Sequence, residues 1–69
     1  MQISARNQLK GTVKSVKRGN VMAEVVVTLP GGQEVVSAIT LGSVDTLKLQ
    51  AGDAVTAIIK STEVMIGKE

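Results

Sequence analysis

An all-β fold is predicted for this chain: a small five-stranded barrel with one short helical turn, packed against other copies of itself. Three observations predict it. Short apolar runs, several of them alternating, are separated by glycine punctuation. Several runs carry apolar residues on both faces, as strands covered on two sides do. Finally, 69 residues with 43% hydrophobic content and no Cys have little interior and no disulfide to compensate. The strand count alone fits an OB-like and an SH3-like barrel about equally.

The elements follow in order. Residues 9–16 read as a first strand. Leu9, Gly11 and Val13 share one parity and Val16 has the other, so a bulge is expected near Lys14 and Ser15. Lys17-Arg18-Gly19-Asn20 reads as a turn, with Gly19 and Asn20 both tolerant of positive φ. Residues 21–29 form a second strand with a clean apolar face of Val21, Ala23, Val25, Val27 and Leu29. Pro30-Gly31-Gly32 is the strongest turn signal and leads to a third strand, residues 34–40. There Val35 and Ile39 face one way and Val36 and Ala38 the other. A helical turn is expected over residues 44–47, with Ser43 as N-cap and Asp45 near its positive end. Gln50-Ala51-Gly52-Asp53 is a loop into a fourth strand, residues 54–60, and residues 64–66 form a short fifth. No linker, repeat or low-complexity segment divides residues 1–69, which read as a single domain.

Composition excludes several classes of function. With no His and no Cys, zinc constellations and histidine acid–base chemistry are absent. The acidic and lysine side chains form no recognisable catalytic arrangement, so a binding protein is expected, not an enzyme. Net charge is only +2 and aromatic content is 0%, which opposes single-strand nucleic-acid binding by base stacking. The N-terminus has no secretion signal and no apolar run reaches membrane-spanning length. The cytoplasm is the expected location.

The chemistry lies in two short motifs. Ser4-Ala5-Arg6-Asn7-Gln8-Leu9-Lys10-Gly11 opens the chain, and Lys60-Ser61 follows Ile58 and Ile59 far downstream. Ser4, Arg6, Lys60 and Ser61 offer hydroxyls, one planar cation and one point cation. That donor set suits a small tetrahedral dianion, since charge-assisted bonds to several oxygens need no acceptor from the protein. Each residue also has a plainer reading. Arg6 and Lys60 are ordinary solvated charges by position alone, and Ser61 serves equally well as a cap for the turn at Thr62 and Glu63.

The runs SARNQLKG and IIKSTEVMI resemble the signature of the molbindin (Mop) family of molybdate-binding proteins, whose module is an OB-like, TOBE-type domain. The resemblance covers nearly the whole chain and favours the OB-like barrel over the SH3-like one. It implies an oxyanion ligand, molybdate and also tungstate, and no organic cofactor. It maps Ser4, Arg6, Lys60 and Ser61 onto oxyanion-contacting positions, with Ala5 contributing backbone. It further implies a homo-oligomer, a hexamer built as a trimer of dimers, in which one subunit gives the first motif and its neighbour the Lys-Ser pair. Gly19 and Asn20 are offered as a second anion site on a symmetry axis, although a plain turn explains both.

Among the remaining residues, Asn7 and Gln8 are read as organising the start of the strand. Lys10, Lys14, Lys17 and Arg18 are read as a solvated face, and Met22 and Met65 as packing residues. The expected role is intracellular molybdenum storage or homeostasis. Two rival readings are a free-standing sensor or interaction module, and a nucleic-acid-binding OB domain that the missing aromatics oppose.

Overall fold

In the computed structural model, which describes residues 1–69, four antiparallel strands form one curled sheet in the order β3-β2-β1-β4. The strands are β1 (Asn7–Arg18), β2 (Met22–Thr28), β3 (Glu34–Thr40) and β4 (Ala54–Ile59). A helix, α1 (Leu41–Leu47), joins β3 to β4, and a single 3-10 turn spans Ser61–Glu63.

β1 is the spine of the sheet. Its first half pairs with β4, from Asn7↔Ile59 to Thr12↔Ala54, and its second half pairs with β2. The change of partner needs a bend, and the bulge expected from the parity switch supplies it. The register against β2 slips between Val13 and Ser15, leaving Lys14 as the extra residue. Both Val13 and Val16 can then face the core. Gly11 lies where the end of β2 crosses β1. A Cβ there would sit 2.6 Å from the Thr28 carbonyl oxygen and 2.7 Å from Val27, closer than real Cβ atoms come.

The expected apolar face of β2 is the core. Ala23, Val25 and Val27 are buried with Val13 and Val44, and Leu29 packs against them. Val21, at the end of that face, is instead 71% exposed, and its carbonyl accepts from the Leu41 N–H that begins the helix. The β2–β3 turn closes through Gly32 N–H to Leu29 O at 2.9 Å, and Gly32 has the positive φ of 90° that the position requires. β3 spans the residues expected of it. Its inward residues, including Val35 and Ile39, are half-buried, while Val36 and Ala38 are exposed on an outer face that this chain leaves uncovered.

Three expectations are corrected. There is no fifth strand: residues 64–69 follow the 3-10 turn without regular structure, and Met65 and Ile66 are about nine-tenths exposed, so Met65 packs against nothing in its own chain. The helix starts three residues earlier than expected, and its N-cap is Thr40, whose hydroxyl accepts from Ser43 N–H at 3.1 Å. Thr40 is extended at φ −69° and ψ 152°, which is why it caps while Ser43 lies inside the first turn. Asp45 is consequently past that turn and pairs with Arg18 at 3.0 Å instead of facing the helix N-terminus. Neither Gly19 nor Asn20 has positive φ. Gly19 is needed for space, since its N–H bonds Met22 O at 2.8 Å and a Cβ would lie 2.9 Å from that oxygen.

The ladder limits explain the smaller shifts. β1 extends beyond both predicted ends because β4 pairs with its start and β2 with its finish. β4 stops at Ile59, one residue short of expectation, because Lys60 already precedes the 3-10 turn.

Candidate functional site

The β1–β4 register builds the site from the two ends of the chain. Asn7↔Ile59 is the last pair of that ladder. Arg6 is the next residue outward on one strand and Lys60 the next on the other. Lys60 keeps an extended backbone at φ −63° and ψ 136°, so it prolongs the line of β4. Ser61 opens the 3-10 turn, which is closed by Glu63 N–H donating to Lys60 O at 2.9 Å. The two motifs are more than fifty residues apart in sequence, and the sheet sets them side by side within a single chain.

Electrostatics favours an anion here. The two ion pairs of the chain are Lys14–Glu34, at 2.6 Å, and Arg18–Asp45; both tie other parts of the fold together. Neither uses Arg6 or Lys60, so both cations are free for an external partner. Lys14 and Arg18 are exposed, as expected of a solvated face, and each also carries one of these surface ion pairs. No side chain caps the 3-10 turn. No group of three or more acidic side chains is gathered anywhere to hold a cation instead.

The segment that carries Ser4 and Arg6 is held by a side chain. Gln8 Nε2 donates to the Ala5 carbonyl at 2.7 Å, which matches the expectation that Gln8 organises the strand start. Ala5 is half-buried, whereas Ser4, Arg6, Lys60 and Ser61 are exposed. Arg6 and Lys60 therefore follow the last β1–β4 pair directly, and all four donors are open to water in one chain.

Two other places fit an anion less well. Gly19 and Asn20 sit at the β1–β2 turn, near Arg18 of the Asp45 pair and apart from the first site. The most enclosed groove, about 370 Å³, lies on the concave side of the sheet and is lined mainly by residues such as Val25, Val35, Leu49 and Val55. It includes none of the four polar candidates. An apolar groove cannot replace the hydration of a dianion, whereas the sheet end carries two unpaired cations.

Comparison with known proteins places the chain in a family. The family pattern described as the TOBE domain matches residues 3–66. Molybdenum-pterin-binding protein 3 of Clostridium pasteurianum is 56% identical over 66 residues, covering 96% of this chain and 97% of that protein. Among solved structures, MopII from Clostridium pasteurianum superposes with a TM-score of 0.92 at 51% identity, over 97% of this chain and 100% of that one. The cytoplasmic molybdate-binding protein ModG, solved with molybdate bound, superposes with a TM-score of 0.85 at 44% identity, over 88% of this chain and 43% of ModG.

Proposed function

We propose that this chain, which belongs to the TOBE domain family, binds molybdate at the end of the sheet where Arg6 and Lys60 meet. The single observation that carries the assignment to these residues is the β1–β4 register, which juxtaposes two motifs whose donors all suit a tetrahedral oxyanion. Relatives named for molybdenum binding, and a molybdate-bound structural neighbour, support the choice of ligand.

The mechanism is physical. A dianion leaving water loses hydration that is costly to leave unreplaced. Arg6 and Lys60 offset its charge, while the Ser4 and Ser61 hydroxyls and backbone N–H groups near Ala5 take over the hydrogen bonds of water. A pocket sized for molybdate holds the smaller sulfate loosely. A pocket with only donors rejects hydrogen phosphate, whose proton finds no acceptor. Tungstate matches molybdate in charge and closely in size, and binds alike. No reaction is assigned to the site, and no organic cofactor. The cellular role we assign is cytoplasmic molybdenum storage and homeostasis.

In one chain the donors are open to water, and selective binding needs water excluded. Because both motifs lie at the same sheet end of every chain, we place each main site where the sheet ends of two copies meet in a homo-oligomer, a hexamer arranged as a trimer of dimers, so that Ser4 and Arg6 of one copy face Lys60 and Ser61 of its neighbour. A second arrangement is favoured by the register itself: both motifs from one chain, with the neighbour serving as a lid. Gly19 and Asn20 remain the candidates for a second class of site on a symmetry axis.

Titration calorimetry with molybdate, tungstate, sulfate and phosphate in parallel tests the reading. The first two should bind tightly and the last two weakly. Equal affinity for all four, or none for any, contradicts it. Ligand at about a hundred times its Kd should also raise the unfolding free energy by about 2.7 kcal/mol, read as a higher melting temperature.

A further inference from the structure

Residues 1–6 precede the first ladder, and one hydrogen bond reaches them: the 2.7 Å bond from Gln8 Nε2 to the Ala5 carbonyl. From Asn7 onward the backbone is fixed by pairing with β4. Gln8 is exposed and has water available as a partner. It turns back three residues onto the segment that presents Ser4 and Arg6.

Peptide geometry gives that bond a consequence. The Ala5 carbonyl and the Arg6 N–H belong to one planar trans unit and point in opposite directions. Holding the carbonyl toward Gln8 turns the Arg6 N–H to the other side. The same rotation takes the carbonyl oxygen, the negative end of that unit, away from a bound anion. Were the unit free to flip, its oxygen would face the dianion and repel it.

We infer that Gln8 is a positioning residue of the oxyanion site: its amide orients the Ala5–Arg6 peptide so that the Arg6 backbone N–H, and not the Ala5 carbonyl, faces the ligand. This rests on the proposed function. It adds a residue outside the four donors, and it assigns Gln8 a role in affinity without direct contact with the anion. It also explains how a segment with no ladder of its own presents donors in a fixed geometry.

Three substitutions at Gln8, each titrated with molybdate alongside the wild-type protein, test it. Gln8→Met keeps the length of the side chain and removes the donor. It should weaken binding about fivefold, the equivalent of one lost hydrogen bond of about 1 kcal/mol, with the melting temperature of the free protein unchanged. Gln8→Glu keeps the shape but only accepts when ionised, and should weaken binding at least as much. Gln8→Lys keeps an N–H donor of similar reach. It should bind within about twofold of wild type in about 1 M salt, where the Debye length is about 3 Å and the added charge is screened. A purely structural role would not distinguish the lysine from the methionine variant. Wild-type binding together with unchanged binding by Gln8→Met and Gln8→Glu overturns the inference and leaves the molybdate site standing. Equal loss in the methionine and lysine variants also overturns it, because the donor would then not matter. No binding by wild type removes both the site and the inference. If Gln8→Met fails to fold, the contrast between the glutamate and lysine variants decides alone.

Discussion

Arg6 and Ser4 divide the work of the first motif unequally. A hydrogen bond to a charged group contributes about 1.5–3 kcal/mol, against about 1 kcal/mol for a neutral one. Arg6→Ala should therefore weaken molybdate binding more than Ser4→Ala in parallel calorimetry. Arg6→Lys should also weaken it, because a point charge cannot reproduce two parallel N–H bonds from a planar fork. An Arg6→Lys protein that binds like wild type contradicts the bidentate role. At this scale the sequence was legible where chemistry is carried by residue type: Ser4, Arg6, Lys60 and Ser61 are recognisable donors wherever the backbone puts them. It was less legible where geometry decides. Thr40 and Ser43 are both good caps, and only the extended backbone at Thr40 selects it. Asp45 suits a helix N-terminus, yet Arg18, 27 residues earlier, claims it across the fold.

The element that positions the site is β1, and its shape depends on one glycine and one bulge. Gly11→Ala places a methyl group against the Thr28 carbonyl and Val27 where no space exists. It should destabilise the chain by about 1–3 kcal/mol, the usual cost of overpacking, measured by urea unfolding; an unchanged midpoint contradicts the close crossing of β1 and β2. Thr40→Ala removes the helix cap and should cost about 1 kcal/mol in the same assay, leaving molybdate affinity unchanged because the Thr40 hydroxyl bonds only Ser43 and none of the four donors. The bulge at Lys14 was legible because a parity switch inside one apolar run has few other causes. The fifth strand was not. Val64, Met65 and Ile66 have strand-like side chains, but a strand also needs a partner edge, and pattern alone does not reveal whether one is within reach. The 3-10 turn at Ser61–Glu63 redirects the chain first.

The whole molecule has a small core for its apolar content. Five residues are buried, whereas Val36, Leu47, Met65 and Ile66 are among the large apolar side chains left exposed. Such surface is covered in oligomers, which agrees with the apolar residues read on both strand faces. Light scattering should give a multimer, hexameric in our reading, at micromolar concentration; a stable monomer contradicts it. Subunit mixing then locates the site. Arg6→Ala and Lys60→Ala proteins should each bind poorly alone. If sites are shared between chains, co-refolded mixtures regain a fraction of intact sites with wild-type affinity; if each site draws both cations from one chain, every site keeps one lesion and no such fraction forms. The central claim is that molybdate sits where the β1–β4 ladder ends, and anomalous diffraction from crystals grown with molybdate tests it most directly. The account predicts a molybdenum peak bounded by the Arg6 guanidinium and the Lys60 ammonium, with Ser4 and Ser61 hydroxyls in hydrogen-bond range. A strong peak elsewhere, with neither cation beside it, would contradict the account.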